Sequence, residues 1–164
     1  MLQPVVRRTW APRGHTPRLR QWDRHDRLSV ISAITISPRR HRLDLCWQIH
    51  RHNLRTQQVV AFLRELRRTR HRLIVVLDRW SVHRALKSFL ARNAKSVHAE
   101  WLPPYAPELN PVEQVWNHTK YTDLPNLAPE HLDELELLVN GSIAQTRSQS
   151  ELLRSFFRTT KLKL

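Results

Sequence analysis

Trp101-Leu102-Pro103-Pro104-Tyr105-Ala106-Pro107-Glu108-Leu109-Asn110-Pro111-Val112-Glu113-Gln114-Val115-Trp116 packs four prolines into a connection and then opens a helix. Asn110 suits the N-cap, Pro111 the first helical position and Glu113 the third. Glu113 therefore has two readings. It closes a capping box by reaching back to the N-cap N–H, or it is a metal-binding acid. Upstream, Leu73-Ile74-Val75-Val76-Leu77-Asp78 is a short apolar run ending in a second carboxylate. Asp78 also has two readings: a cap on the turn after its strand, or a ligand. Ligands gather beyond the carboxyl ends of strands in open α/β sheets. The rigid proline segment brings a helix start back to that edge. Two acids held there can share a divalent cation, and oxygen donors without cysteine favour Mg²⁺ or Mn²⁺.

The flanking periodicities predict an α/β layered domain. Leu28, Val30, Ser32, Ile34 and Ile36 alternate as a strand, and so do Leu43, Leu45, Trp47 and Ile49. Ser37-Pro38-Arg39-Arg40 turns between them, so the two make an antiparallel pair. A helix starts near Thr56, with Val59, Val60, Phe62, Leu63 and Leu66 as its apolar stripe and Arg64, Arg67 and Arg68 on its wet side. The uniformly apolar run 73–77 predicts a strand buried on both faces. Ser81 caps one helix carrying Val82, Ala85, Leu86, Phe89 and Leu90, and 97–102 forms a short strand. A helical tail begins at Pro129, with Gly141 as an expected interruption and Leu152, Leu153, Phe156 and Phe157 as a last stripe.

Composition narrows the function. The chain has 164 residues, enough for one domain, a formal net charge of +14 and a sequence pI near 11.5. Such a balance points to a polyanion, most commonly nucleic acid. The basic excess sits almost wholly in residues 1–77, while Glu130, Asp133, Glu134 and Glu136 cluster late. Cys46 is the single cysteine, so an internal disulfide is impossible and a cysteine-based zinc site is disfavoured. No apolar run approaches the ~18 residues of a membrane span, so no membrane partner is expected. A plain basic RNA- or DNA-binding protein without catalysis is the alternative class.

Residues 72–120 resemble the catalytic core of the IS630/Tc1-mariner transposases of the DDE superfamily. The resemblance rests on Leu77-Asp78 with His83, on Pro103-Pro104-Tyr105-Ala106-Pro107-Glu108-Leu109-Asn110-Pro111-Val112-Glu113, and on Val115-Trp116 and Lys120. Trp10-Ala11-Pro12-Arg13-Gly14, Thr16-Pro17 and the strand at 28–36 also match, so the likeness covers about residues 4–125. It implies an RNase H-like mixed sheet flanked by helices. Residues 1–125 would be a partial catalytic domain and 126–164 its helical C-terminal extension. Asp78 and Glu113 would be the second and third catalytic acids and the metal ligands. Such enzymes direct water, then a DNA 3′ hydroxyl, onto phosphodiesters using paired Mg²⁺ ions. His83, Arg13, Arg64, Arg67, Arg68 and Lys120 become phosphate-binding candidates. The implied partners are transposon ends and target DNA, and the implied setting is the bacterial cytoplasm, on the nucleoid when DNA-bound.

The family's first acid precedes the Trp10-Ala11-Pro12 region, on its own strand. The sequence begins at Met1-Leu2-Gln3-Pro4, inside that interval, so this acid and the first catalytic strand are expected to be missing. Asp23 and Asp26 precede the wrong strand, and Asp44 is expected further from the metal edge. A homodimer partner or an upstream-frame product would then supply the strand, and the isolated chain would be a defective transposase. No N-terminal helix-turn-helix is seen. Arg79-Trp80 replaces the small or polar residues usual after the second acid. Trp10 and Trp22 are candidates for base stacking, whereas Trp47, Trp101 and Trp116 are expected in the core.

Overall fold

Alternating apolar residues produce two separate strand pairs in the computed structural model, which describes residues 7–8, 10–15, 28–127, 129 and 131–160. Strands β1 (Ser29–Ile36) and β2 (Leu43–His50) pair antiparallel, with Ala33 opposite Cys46. Strands β3 (Leu73–Leu77) and β4 (Val97–Trp101) pair parallel, with Val75 opposite Ala99. The remaining elements are helices α1 (Thr56–Thr69), α2 (Ser81–Arg84), α3 (Lys87–Arg92), α4 (Pro111–His118), α5 (Leu132–Ser148) and α6 (Ser150–Thr159). A 3-10 turn, Pro107–Leu109, precedes α4, and a π turn, Thr119–Asp123, follows it. The result is a mixed α/β architecture with an antiparallel and a parallel sheet flanked by helices, consistent with an RNase H-like α/β fold.

The β1–β2 sheet separates two cores. On one side Ile31, Ala33 and Cys46 pack against Val59, Phe62, Leu63 and Leu66 of α1. The same cluster takes in Leu86 and Phe89 and the inward residues Leu73, Val75 and Leu77 of β3. On the other side Leu45 is sealed among Val115 of α4, Val139 and Ile143 of α5, and Leu153 and Phe156 of α6. Val30, Ile34, Leu43, Trp47 and Ile49 join that second cluster, so the strand alternation fixes which side chain enters which core. Asp44 ties the layers at the surface: it bridges Arg70 at 3.1 Å and Arg147 at 2.7 Å.

Four expectations need correction. Strand β3 is not buried on both faces, because Ile74 is 77% and Val76 54% exposed. The α4–α6 layer covers β1–β2 but stops short of β3, and Ile74 and Val76 stand beside the exposed His98 and Glu100 of β4. The helix expected over 82–90 breaks into α2 and α3 at Ala85 and Leu86, whose ψ angles near zero are too flat for an α-helix. Helix α5 runs through Gly141 without interruption. Trp47, Trp101 and Trp116 border the cores half-buried rather than filling them; the Trp47 indole N–H donates to Asn140 at 2.8 Å.

Between the two sheets lies a cleft of about 1640 Å³. Its walls include every residue of β1 and of β3 but little of β2 or β4, so it runs along the edges of β1 and β3 that face away from their partners. Phe62 and Leu63 of α1 line it on one side, and Val112, Trp116 and Phe157 on another.

Candidate active site

Strand β3 ends at Leu77, and Asp78 follows at the carboxyl end of the parallel pair. The Leu102 N–H donates to the Leu77 carbonyl at 2.9 Å, and Arg79 Nε donates to the Leu102 carbonyl at 3.1 Å. These bonds lock the exits of β3 and β4 together. Asp78 Oδ1 accepts the Trp80 backbone N–H at 3.0 Å and lies 2.7 Å from His83 Nδ1. The first bond is a turn of the kind aspartate makes with the backbone two residues on. One oxygen therefore does structural work. The His83 bond holds the Asp78 carboxyl below its usual range, with the Trp80 N–H helping and partial burial opposing.

Glu113 reaches the same cleft from the first turn of α4. The chain arrives through Tyr105, whose φ of 55° is left-handed and whose side chain is fully exposed. Asn110 caps α4 by accepting the Val112 N–H at 3.2 Å. Its own N–H donates to the Pro107 carbonyl at 2.9 Å. The capping box considered for Glu113 does not form, because its donor is already taken. The Glu113 carboxyl is instead pushed up by burial and by the charge of Asp78, while Lys120 pulls it down. Asp78 and Glu113 thus line the same cleft, and the charge of Asp78 reaches Glu113. Their repulsion opposes having both ionised at once.

The remaining candidates divide by place. His83 and Lys120 belong with the acids, through a hydrogen bond and through charge respectively. Arg67 binds Asn93 and Ser96, which precede β4 at the end of the sheet opposite Asp78. Arg64 lies over the Phe89 ring at 6.0 Å, and Arg68 is exposed on the same helix. Arg13 sits exposed in the turn before His15. Asp44 is engaged by Arg70 and Arg147. Asp23, Asp26 and Trp22 lie outside the described residues. Trp80, one of the six tryptophans that could stack on bases and a bulky departure after the second acid, lines the cleft with its ring perpendicular to that of His83. Its place two residues after Asp78 was the available signal.

Among the described residues, no group of three or more His, Cys, Asp and Glu side chains converges closely enough to hold a metal ion. No described helix is long and apolar enough to cross a membrane. Neither the curated proteins nor the solved structures contain a match to the chain. The family model of the DDE superfamily endonucleases matches residues 1–136, which hold both Asp78 and Glu113, and the chain belongs to that family.

Proposed function

We propose that the chain is the catalytic part of a DNA transposase of the IS630/Tc1-mariner kind, with Asp78 and Glu113 as its catalytic acids. The observation that carries this reading is that Asp78, at the carboxyl end of β3, and Glu113, in the first turn of α4, line one cleft. Two carboxylates sharing a cleft repel each other, and their hard oxygens suit Mg²⁺ or Mn²⁺. The donor set fits one such ion: Asp78 keeps Oδ2 available, and Glu113 is released from capping. Bound there, the ion would polarise a phosphodiester and lower the pKa of an attacking water.

The residues supply the rest. His83 fixes the Asp78 rotamer, so the carboxylate does not have to be ordered when substrate arrives. Lys120 offsets negative charge beside Glu113. Arg13, Arg64, Arg67 and Arg68 offer phosphate contacts, those of α1 along a flank away from the acids. Residues 126–164 extend the same domain, a reading supported by the packing of Val139, Ile143, Leu153 and Phe156 around Leu45 and Val115.

A third carboxylate is needed for full activity, and the cleft between β1 and β3 suits the strand that would carry it. Such a strand would pair antiparallel to β1 and parallel to β3, and its carboxyl end would arrive beside Asp78. A homodimer partner or an upstream segment is the proposed source. With two acids alone, the described residues would make a weak or inactive nuclease acting on DNA in a bacterial cytoplasm.

Two assays test the reading. Filter binding across a salt series should show sequence-nonspecific DNA binding that weakens steeply with salt. Supercoiled plasmid with Mg²⁺ should stay intact with the isolated chain. Nicking abolished by Asp78→Ala or Glu113→Ala would keep the transposase assignment and refute the inactivity. Tighter binding to structured RNA, indifferent to Asp78→Ala, would favour a non-catalytic RNA-binding protein.

A further inference from the structure

We propose that Trp80 is a stacking platform for an unpaired base of the strand on which the acid pair acts. The proposal rests on the DNA reading above and adds a substrate class to it: single-stranded or locally opened DNA. Trp80 is 45% exposed and lines the same cleft as Asp78, His83 and Glu113. Its indole is braced rather than loose. The ring lies perpendicular to that of His83, centroids 5.5 Å apart at 85°, and the Trp80 backbone N–H donates to Asp78 Oδ1. His83 meets that same oxygen. The Trp80 backbone and the His83 imidazole are thus both tied to the Asp78 carboxylate, and this places the indole beside it.

The other exposed aromatics differ. Trp10 and Tyr105 do not line the cleft, and the Tyr121 ring is already covered by the Arg7 guanidinium at 5.6 Å. The choice of an unpaired base follows from geometry. Bases inside a duplex have both faces covered by neighbours, whereas an opened base offers a free face to indole. Stacking tolerates any base, which agrees with sequence-nonspecific phosphate contacts. A base held on Trp80 would fix the adjoining phosphodiester against rotation, and orientation of the reacting bond is a large part of any phosphoryl-transfer rate.

The test is fluorescence anisotropy with the full chain and three labelled oligonucleotides of equal length: a single strand, the same strand with abasic residues at its centre, and a blunt duplex. The wild-type chain should bind the intact single strand more tightly than the abasic one, by roughly five- to 150-fold for one stacked base. Trp80→Ala should erase that preference and leave duplex affinity and its salt dependence unchanged. Trp80→Phe should keep part of it and, with an unaltered melting temperature, shows that loss in the alanine variant is not misfolding. An equal base preference in wild type and Trp80→Ala overturns the proposal while the DNA reading stands. Failure to bind any of the three removes both.

Discussion

The Asn110 backbone N–H donates to the Pro107 carbonyl at 2.9 Å, and this bond frees Glu113 from the capping role that its position suggests. A glutamate at the third helical position normally satisfies the N-cap donor. Here the 3-10 turn Pro107–Leu109 does so first. The carboxylate is left at the cleft, partly desolvated and within reach of the charge of Asp78.

Glu113 should therefore weaken the fold at neutral pH. Its folded pKa is raised, so the stability it contributes is present below the unfolded value of 4.5 and is lost as pH rises through the folded value. Glu113→Gln removes this loss. The variant should melt higher than wild type at pH 7, and the gap should close below pH 4.5. Thermal melts across pH measure it; a lower melting temperature at pH 7 would contradict the account.

Asp78 has the opposite sign. Its folded pKa is lowered, so its contribution is present above the unfolded value of 3.8 and is lost as pH falls through the folded value. His83→Ala should cost about 1 kcal/mol at neutral pH, the modest size set by the solvent screening of a half-exposed carboxylate. The cost should fade in acid. Urea titrations at neutral and acidic pH check this, and a cost that stays constant would assign His83 to packing alone.

Tyr105 holds a left-handed backbone without a side-chain contact to justify it. Tyr105→Asn, which tolerates that conformation, should stabilise by on the order of 1 kcal/mol. Destabilisation in a urea titration would show that the ring has a folded-state partner.

Gly141 lies inside α5, and a methyl group there would meet open space. Gly141→Ala should stabilise by about 0.5–1 kcal/mol. An unchanged or lower midpoint would mean that α5 bends at this position in solution.

The strands at 29–36 and 43–50 were legible because the period of two is visible in Leu43, Leu45, Trp47 and Ile49, which all enter one core. That Asp78 and Glu113 come to one cleft was legible from the strand end at Asp78 and the proline-framed helix start at Glu113. Other features depend on groups distant in sequence. The exposure of Ile74 and Val76 is decided by where the α4–α6 layer stops, which the run Leu73–Leu77 does not encode. The break between α2 and α3 keeps the apolar spacing of a continuous helix, so periodicity is blind to it. The π turn Thr119–Asp123 is set by Ser142, whose hydroxyl lies 2.6 Å from Asp123 and 3.1 Å from Thr119. The fate of Glu113 was undecidable locally, since it turned on whether Pro107 would take the Asn110 donor.

Mn²⁺ binding followed by electron paramagnetic resonance at neutral pH tests the central claim most directly, because it reads the acid pair without requiring catalysis. The account predicts one Mn²⁺ bound per chain, displaced by excess Mg²⁺ and lost in both Asp78→Asn and Glu113→Gln. Mn²⁺ binding that survives either substitution undiminished would contradict it.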